Sequence, residues 1–217
     1  GELELYYQIQ IDETKGIQGA EVLLRWFHPI RGMVSPLDFI PLAEETILIC
    51  EIGNWVFESV CIQLRHLIDS GFPDIKVSVN LSTMQIHRGD TYNILKTYMN
   101  LYNIPGKNFE LEVTEAGVLK DEKLAIDLLN KFRDLGISIA LDEFGTGYSS
   151  IKHLAKFKLN KLKIDGSFIK NIPLSKGDLI ATRTIIALAK QLKLHITAEG
   201  VETAKQSEFM AANHVDS

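Results

Sequence analysis

A chain of 217 residues, 46% of them hydrophobic, is long enough to bury one sizeable core, as a single large domain or a barrel. Its 23 Lys and Arg against 28 Asp and Glu leave a net charge of −5, which argues against a dedicated binder of polymeric nucleic acid and otherwise suits ordinary solubility. No apolar run approaches the roughly 18 residues of a membrane span, and neither a zinc-type Cys/His spacing nor an HExxH cluster is present.

In chain order, ELELYYQIQID, the turn ETKG and IQGAEVLLRW predict an antiparallel hairpin. HPIRGMVSP reads as a loop. SPLDFIPLAEE predicts a helix with Ser35 as N-cap and Pro36 in its first position. Residues 48–70 carry apolar side chains at helical period and end near Gly71 and Pro73. Cys50 and Cys61 fall in that helix, about 16 Å apart along its axis, beyond disulfide reach. They read as two buried core thiols, natural in a reducing cytosol.

From residue 75 strands and helices alternate. Strands are predicted at 75–82, 108–115, 137–144, 161–165 and 194–200, and helices near 91–103, at 121–135, from about Ser149, at 177–192 and from about Thr203. Gly136 sits where a helix C-cap belongs. Alternation of this kind implies parallel βα units. Seven strands result, one antiparallel and six feeding helices. An open sheet is one solution. An α/β fold of the TIM-like (β/α)8 barrel type, with an antiparallel first strand and its eighth strand missing from this chain, fits the rhythm better. A barrel short of a strand leaves a seam of unpaired backbone groups, so more protein is expected beyond Ser217.

Polar residues recur at the strand ends: Glu21, Asn80, Glu112 with Glu115, Asp142 with Glu143, Lys163 with Asp165, and Glu199 with Glu202. In a β/α barrel these ends share the face that carries the active site. So many acids at one mouth repel one another unless cations neutralise them. Oxygen ligands without His or Cys suit Mg²⁺ or Mn²⁺. Taken singly, the residues have plainer readings. Glu110 reads as a solvated residue or a salt-bridge partner, and Lys163 as a surface lysine or the ion-pair partner of Asp165. FGTGYSS is not a phosphate-binding P-loop. It reads as a structural βα turn, as a loop that holds the Asp142–Glu143 pair, or as both.

Six motifs in order, EVLLRW, VNLS, ELEVTE, LDEFGTGYSS, LKIDGSF and TAEGVET, make residues 1–217 resemble an EAL domain lacking its last strand. The EAL family comprises cyclic di-GMP phosphodiesterases with a β/α barrel. The resemblance implies metal-dependent hydrolysis of cyclic di-GMP to linear pGpG with two Mg²⁺ or Mn²⁺ per site. It implies Glu21, Asn80, Glu112 and Asp142 as ligands of one metal, and Asp142 and Glu143 shared with a second. Lys163 would orient the water, and Glu199 would be the general base or a metal-site acid. Gln8 and Arg25 would contact the substrate. Glu115 would anchor the loop after the fifth strand, with Asp165 and Glu202 in support. It further implies a homodimer and attachment to sensory or GGDEF domains. The address implied is cytoplasmic, either free-standing or as the cytoplasmic part of a membrane-anchored protein.

The sequence departs from the family pattern at Val22, Ile9, Ile47 (usually Gly), Asn160 (usually an acid) and Glu143 (usually Asp). The last matters most, because misplacing a catalytic group by about 1 Å can cost on the order of 100-fold in rate. The expectation is therefore an active phosphodiesterase, with reduced activity as one possibility. The alternative is a degenerate EAL domain that acts as a cyclic di-GMP receptor or a protein-interaction module.

Overall fold

The structure is a computed structural model and describes residues 1–12, 16–145 and 156–217. The tip of the first hairpin, Gly147, and the helix expected from Ser149 lie outside the described residues. Among the described residues one eight-stranded sheet organises the fold. The hairpin is formed by β1 (Leu3–Asp12) and β2 (Gly16–His28), which pair antiparallel as expected. A third strand, β3 (Gly32–Val34), turns back onto β2 inside what the sequence reading took for a loop. Three residues are too few to show a period.

The parallel part runs through β4 (Lys76–Asn80), β5 (Phe109–Thr114), β6 (Ser138–Phe144), β7 (Lys161–Ile164) and β8 (His195–Ala198) in the order β1-β2-β4-β5-β6-β7-β8. Helices α1 (Pro36–Glu45), α2 (Leu48–Asp69), α4 (Thr91–Leu101), α6 (Glu122–Asp134), α8 (Lys176–Gln191) and α9 (Ala204–Ala212) match predicted ones. Three short helices were not legible in the sequence: α3 (Thr83–Arg88), α5 (Glu115–Leu119) and α7 (Gly166–Ile169). Two of them, together with the end of β8 at Ala198, correct the reading of three acids as strand-end residues. Glu115 opens α5, Asp165 caps α7, and Glu202 lies past β8 in the loop before α9.

Local chemistry explains the helix ends. Ser35 accepts from the Leu37 amide with Pro36 next in line, as predicted. Ser82 with Gln85 and Thr203 with Gln206 form capping boxes. Gly136, after α6, takes φ +84°, the left-handed conformation that glycine tolerates. The core lies between sheet and helices, with Phe57, Phe109 and Phe132 fully buried. Cys61 is buried and its thiol is pushed up to about 12 by burial and then by Glu58. Cys50 is only half-buried, which corrects the expectation of two core thiols; both are free. Among the described residues no single helix is long and apolar enough to cross a membrane.

The sheet curls into an incomplete barrel. Side chains of β7 cross the interior to β1 and β2: Lys161 Nζ lies 3.2 Å from Gln10 Oε1, and Lys163 Nζ 3.0 Å from Glu21 Oε2. Beyond α9 the chain returns to β8. The amides of Asp216 and Ser217 donate to the Ile196 carbonyl, and the Ala198 amide donates to the Ser217 carbonyl. Strand-like pairing thus resumes after the last helix, where the sequence reading saw none.

Two departures from the family pattern acquire a structural meaning. Asn160 Oδ1 accepts the Ile139 amide at 2.9 Å, while its backbone binds Ile139 and His195. An amide oxygen satisfies that amide as an acid would. Ile47, at the bend between α1 and α2, has φ +65°. A β-branched residue pays for that conformation where glycine would not. Replacing Ile47 by Gly is expected to stabilise the chain by about 1 kcal/mol, read as a rise in melting temperature of about 2–4 °C. Asn160→Ala should destabilise it by about 1–3 kcal/mol, whereas Asn160→Asp should not.

Candidate active site

Alternation along the parallel strands points every second side chain inward. Asn80 ends β4, Glu112 lies two from the end of β5, Asp142 sits near the end of β6 and Lys163 near the end of β7. Glu21 projects from β2, and Glu199 follows β8 directly. These groups converge on Lys163. Its ammonium lies 2.6 Å from Glu112 Oε2, 2.6 Å from Glu199 Oε1, 3.0 Å from Glu21 Oε2 and 3.2 Å from Asp142 Oδ2. Asn80 donates its amide to Glu21 Oε1 at 2.9 Å. Lys163 is neither a surface lysine nor the partner of Asp165, which instead accepts the Ser167 amide at 2.9 Å.

The electrostatics follow from burial and crowding. Burial pushes Glu112 up to about 8; Glu21 and Asp142 add to this, and Lys163 opposes it. Burial also raises Glu199, with Lys163 opposing and Asp142 and Glu21 reinforcing. Burial alone would lower Lys163, but Glu112, Asp142, Glu21 and Glu199 outweigh it and hold the ammonium above its ordinary range. One ammonium cannot balance four carboxylates.

The adjacent pair Asp142–Glu143 should point to opposite faces of a strand. Instead, the register between β6 and β7 shifts between Leu141 and Phe144, and Glu143 takes φ +54°. This irregularity lets both residues line the same cavity. The Glu143 amide donates to Asp142 Oδ1 at 2.8 Å, which ties the two together. Burial, Asp142 and Asp165 raise the Glu143 carboxyl, against Lys163.

The cavity measures about 1220 Å³. Glu21, Asn80, Asp142, Glu143, Lys163 and Glu199 line it, and Gln8 reaches it from β1 opposite Glu21. Asp165 and Glu202 line it as well. Glu112 lies beneath, almost fully buried. Arg25 is not part of the lining: its guanidinium sits 5.6 Å from the Tyr6 ring centroid and donates to the Leu24 carbonyl. Glu115 starts α5 with a buried Oε2 that lacks a hydrogen-bond partner among the described residues. The loop it was expected to anchor falls largely outside them. Sequence reasoning missed Gln10 and Thr197, which also line the cavity. The period-2 pattern of their strands was the available signal.

Carboxylate oxygens of Glu21, Glu112 and Asp142 lie within 4.8 Å of one another and could hold a metal ion. Glu112 Oε1 supports the fit, being buried with no hydrogen-bond partner among the described residues. A donor set of carboxylates and one amide suits hard divalent cations.

A curled, mostly parallel sheet that gathers acids from successive strands at one mouth defines a β/α-barrel protein with a cation-type acidic site. The EAL domain model matches residues 1–217, and the chain belongs to that family. It is 37% identical over 210 residues to MucR of Pseudomonas aeruginosa, a bifunctional diguanylate cyclase/cyclic di-GMP phosphodiesterase, covering 96% of this chain and 31% of MucR. It is 35% identical over 215 residues to PdeR of Escherichia coli, a cyclic di-GMP phosphodiesterase, covering 99% of this chain and 32% of PdeR. The chain thus spans about a third of the length of these relatives. A solved structure of the PaMucR phosphodiesterase in complex with c-di-GMP superimposes with a TM-score of 0.94 at 36% identity, covering 99% of this chain and 87% of that one.

Removing the central cation tests the electrostatic account. Lys163→Met is expected to cost about 3–5 kcal/mol of stability in EDTA, because it strands buried carboxylates. Mn²⁺ is expected to restore part of that loss, measured by thermal unfolding with and without the ion.

Proposed function

We propose that this chain is the phosphodiesterase domain of a larger signalling protein and hydrolyses one phosphodiester of cyclic di-GMP to give linear pGpG. The observation that carries the reading is the ring of Glu21, Glu112, Asp142 and Glu199 around Lys163. It lies beside a cavity roomy enough for a dinucleotide, in a family whose similar members are named for this reaction.

In this reading Glu21, Asn80, Glu112 and Asp142 would hold one Mg²⁺ or Mn²⁺, and Asp142 with Glu143 would hold a second. When bound, the cations neutralise phosphate charge and make water a better nucleophile. Glu199, its carboxyl raised by burial, accepts the proton of the attacking water. Lys163 holds the carboxylates in register and presents a point positive charge to the phosphate. The water oxygen adds to phosphorus as the bond to the 3′ oxygen breaks; the 3′ oxygen takes up a proton from solvent, and the ring opens to a 5′-phosphate and a 3′-hydroxyl. Gln8 contacts the nucleotide from β1, and Arg25 would have to leave Tyr6 and the Leu24 carbonyl to contact the phosphate. Glu115 steadies the loop after β6, while Asp165 and Glu202 support the adjoining turns.

We further propose that the domain is a homodimer with a cytoplasmic address. Linkage to sensory or GGDEF domains is supported by the greater length of the relatives and by the cyclase in MucR's description.

Glu143 favours a second reading. It stands outside the group of three carboxylates whose oxygens are close enough to share an ion. With its second cation poorly held, the domain would bind cyclic di-GMP as a receptor and scarcely cleave it.

Incubating the purified chain with cyclic di-GMP and Mg²⁺ or Mn²⁺, and following pGpG, separates the two. Turnover is expected, with Glu199→Gln lowering kcat on the order of 100-fold or more. Glu143→Asp is expected to raise kcat, by up to on the order of 100-fold if the extra methylene misplaces the carboxylate by a full ångström. Binding without pGpG would move the assignment to the receptor.

A further inference from the structure

The barrel interior holds a second polar layer, below the ring around Lys163, which the proposed chemistry does not use. Lys161 Nζ lies 2.6 Å from Glu110 Oε1, and Ser78 Oγ donates to the same oxygen at 2.9 Å. Glu110 is buried, so it is a salt-bridge partner and not a solvated residue. Lys76 also projects into this layer, donating to Ser138 Oγ at 3.0 Å. The charges of Glu110 and Lys161 both act on its ammonium, but Glu110 is paired directly with Lys161 alone among the described residues. Lys161 has donors to spare, and a buried ammonium proton requires an acceptor. It finds one on the opposite wall, in Gln10 Oε1 of β1 at 3.2 Å.

That bond falls at a particular place. Among the described residues β1 pairs only with β2. Its regular register ends at Gln10, since pairing shifts between Gln10 and Ile11. Gln8, two residues earlier and on the same face, is paired with Glu21 and lines the cavity. Gln10 lines the cavity too, whereas Lys161 is 9% exposed and does not.

We propose that Lys161 is a positioning residue for substrate binding: held by Glu110, it pins β1 across the barrel through Gln10 and so sets the place of Gln8 at the cavity wall. The inference rests on the phosphodiesterase reading for what the cavity binds. Lys161 acts on affinity and not on the chemical step, because the groups around Lys163 are untouched by it.

Two variants break the tie from opposite ends. Gln10→Leu leaves the Lys161–Glu110 pair intact. Lys161→Met combined with Glu110→Gln removes both charges, so that neither is left buried alone. Each is expected to raise KM for cyclic di-GMP roughly 3- to 10-fold, with kcat within about twofold of the parent. Combining all three changes should be no worse than either variant, since both break one link. Hydrogen exchange should quicken across residues 3–12 and stay unchanged in β5 and β6.

An effect of Gln10→Leu on KM with none from Lys161→Met/Glu110→Gln would assign Gln10 a direct substrate contact and overturn the tie. Unchanged exchange in β1 would overturn it as well. A parent chain that binds cyclic di-GMP without cleaving it would defeat the hydrolysis reading alone. The Kd for cyclic di-GMP and the exchange rates would then decide the tie in place of KM.

Discussion

A single buried ammonium faces four carboxylates inside this barrel, and the geometry of the site depends on that imbalance. Glu21, Glu112, Asp142 and Glu199 come from four separate stretches of chain and meet only at Lys163. An ammonium has three protons to give, and burial penalises every charge left without a partner. The surplus of negative charge is what makes the site a place for divalent cations. The unpartnered Glu112 oxygen is its most direct mark.

The adjacent carboxylates Asp142 and Glu143 show how backbone irregularity serves the same end. A regular strand would turn one of them away from the cavity. The register shift in β6 and the left-handed conformation of Glu143 bring both to it. The position tolerates the strain because its amide is engaged with Asp142. The added methylene of Glu, relative to the family's Asp, therefore acts on a side chain whose starting point is already held by the backbone. Its reach is set by its own length.

The interior is built in tiers. The upper tier is rich in negative charge and faces the cavity. The lower one, with Lys161, Lys76, Glu110 and Ser78, is rich in positive charge and is mostly enclosed. Opposite excess in neighbouring layers holds the walls together without closing the mouth, and leaves the upper layer for ligands.

Hydropathy periods and turn chemistry alone determined the strand and helix order, the antiparallel start and the parallel remainder. These are local properties: alternation at period 2 or 3.6, Ser35 and Gly136 at helix ends, and a hairpin's two apolar runs. The acids at strand ends were legible for the same reason, since a barrel sends all strand ends to one face. What those acids do to one another was not. Taken singly, Lys163 read as a surface lysine or a partner of Asp165; the family resemblance alone gave it a place in the site, and the curl of the sheet set it among four carboxylates. Glu110 read as a solvated residue or a salt-bridge partner, and the contact with Lys161 and Ser78 decides for the latter. The short helices that claim Glu115 and Asp165, the strand Gly32–Val34, and the shift that turns Glu143 toward the cavity span too few residues for any period to reveal. The ring around Lys163 and the enclosure of Glu110 depend instead on contacts between residues distant in sequence, and these exist only once the sheet has curled and placed its walls within reach of one another.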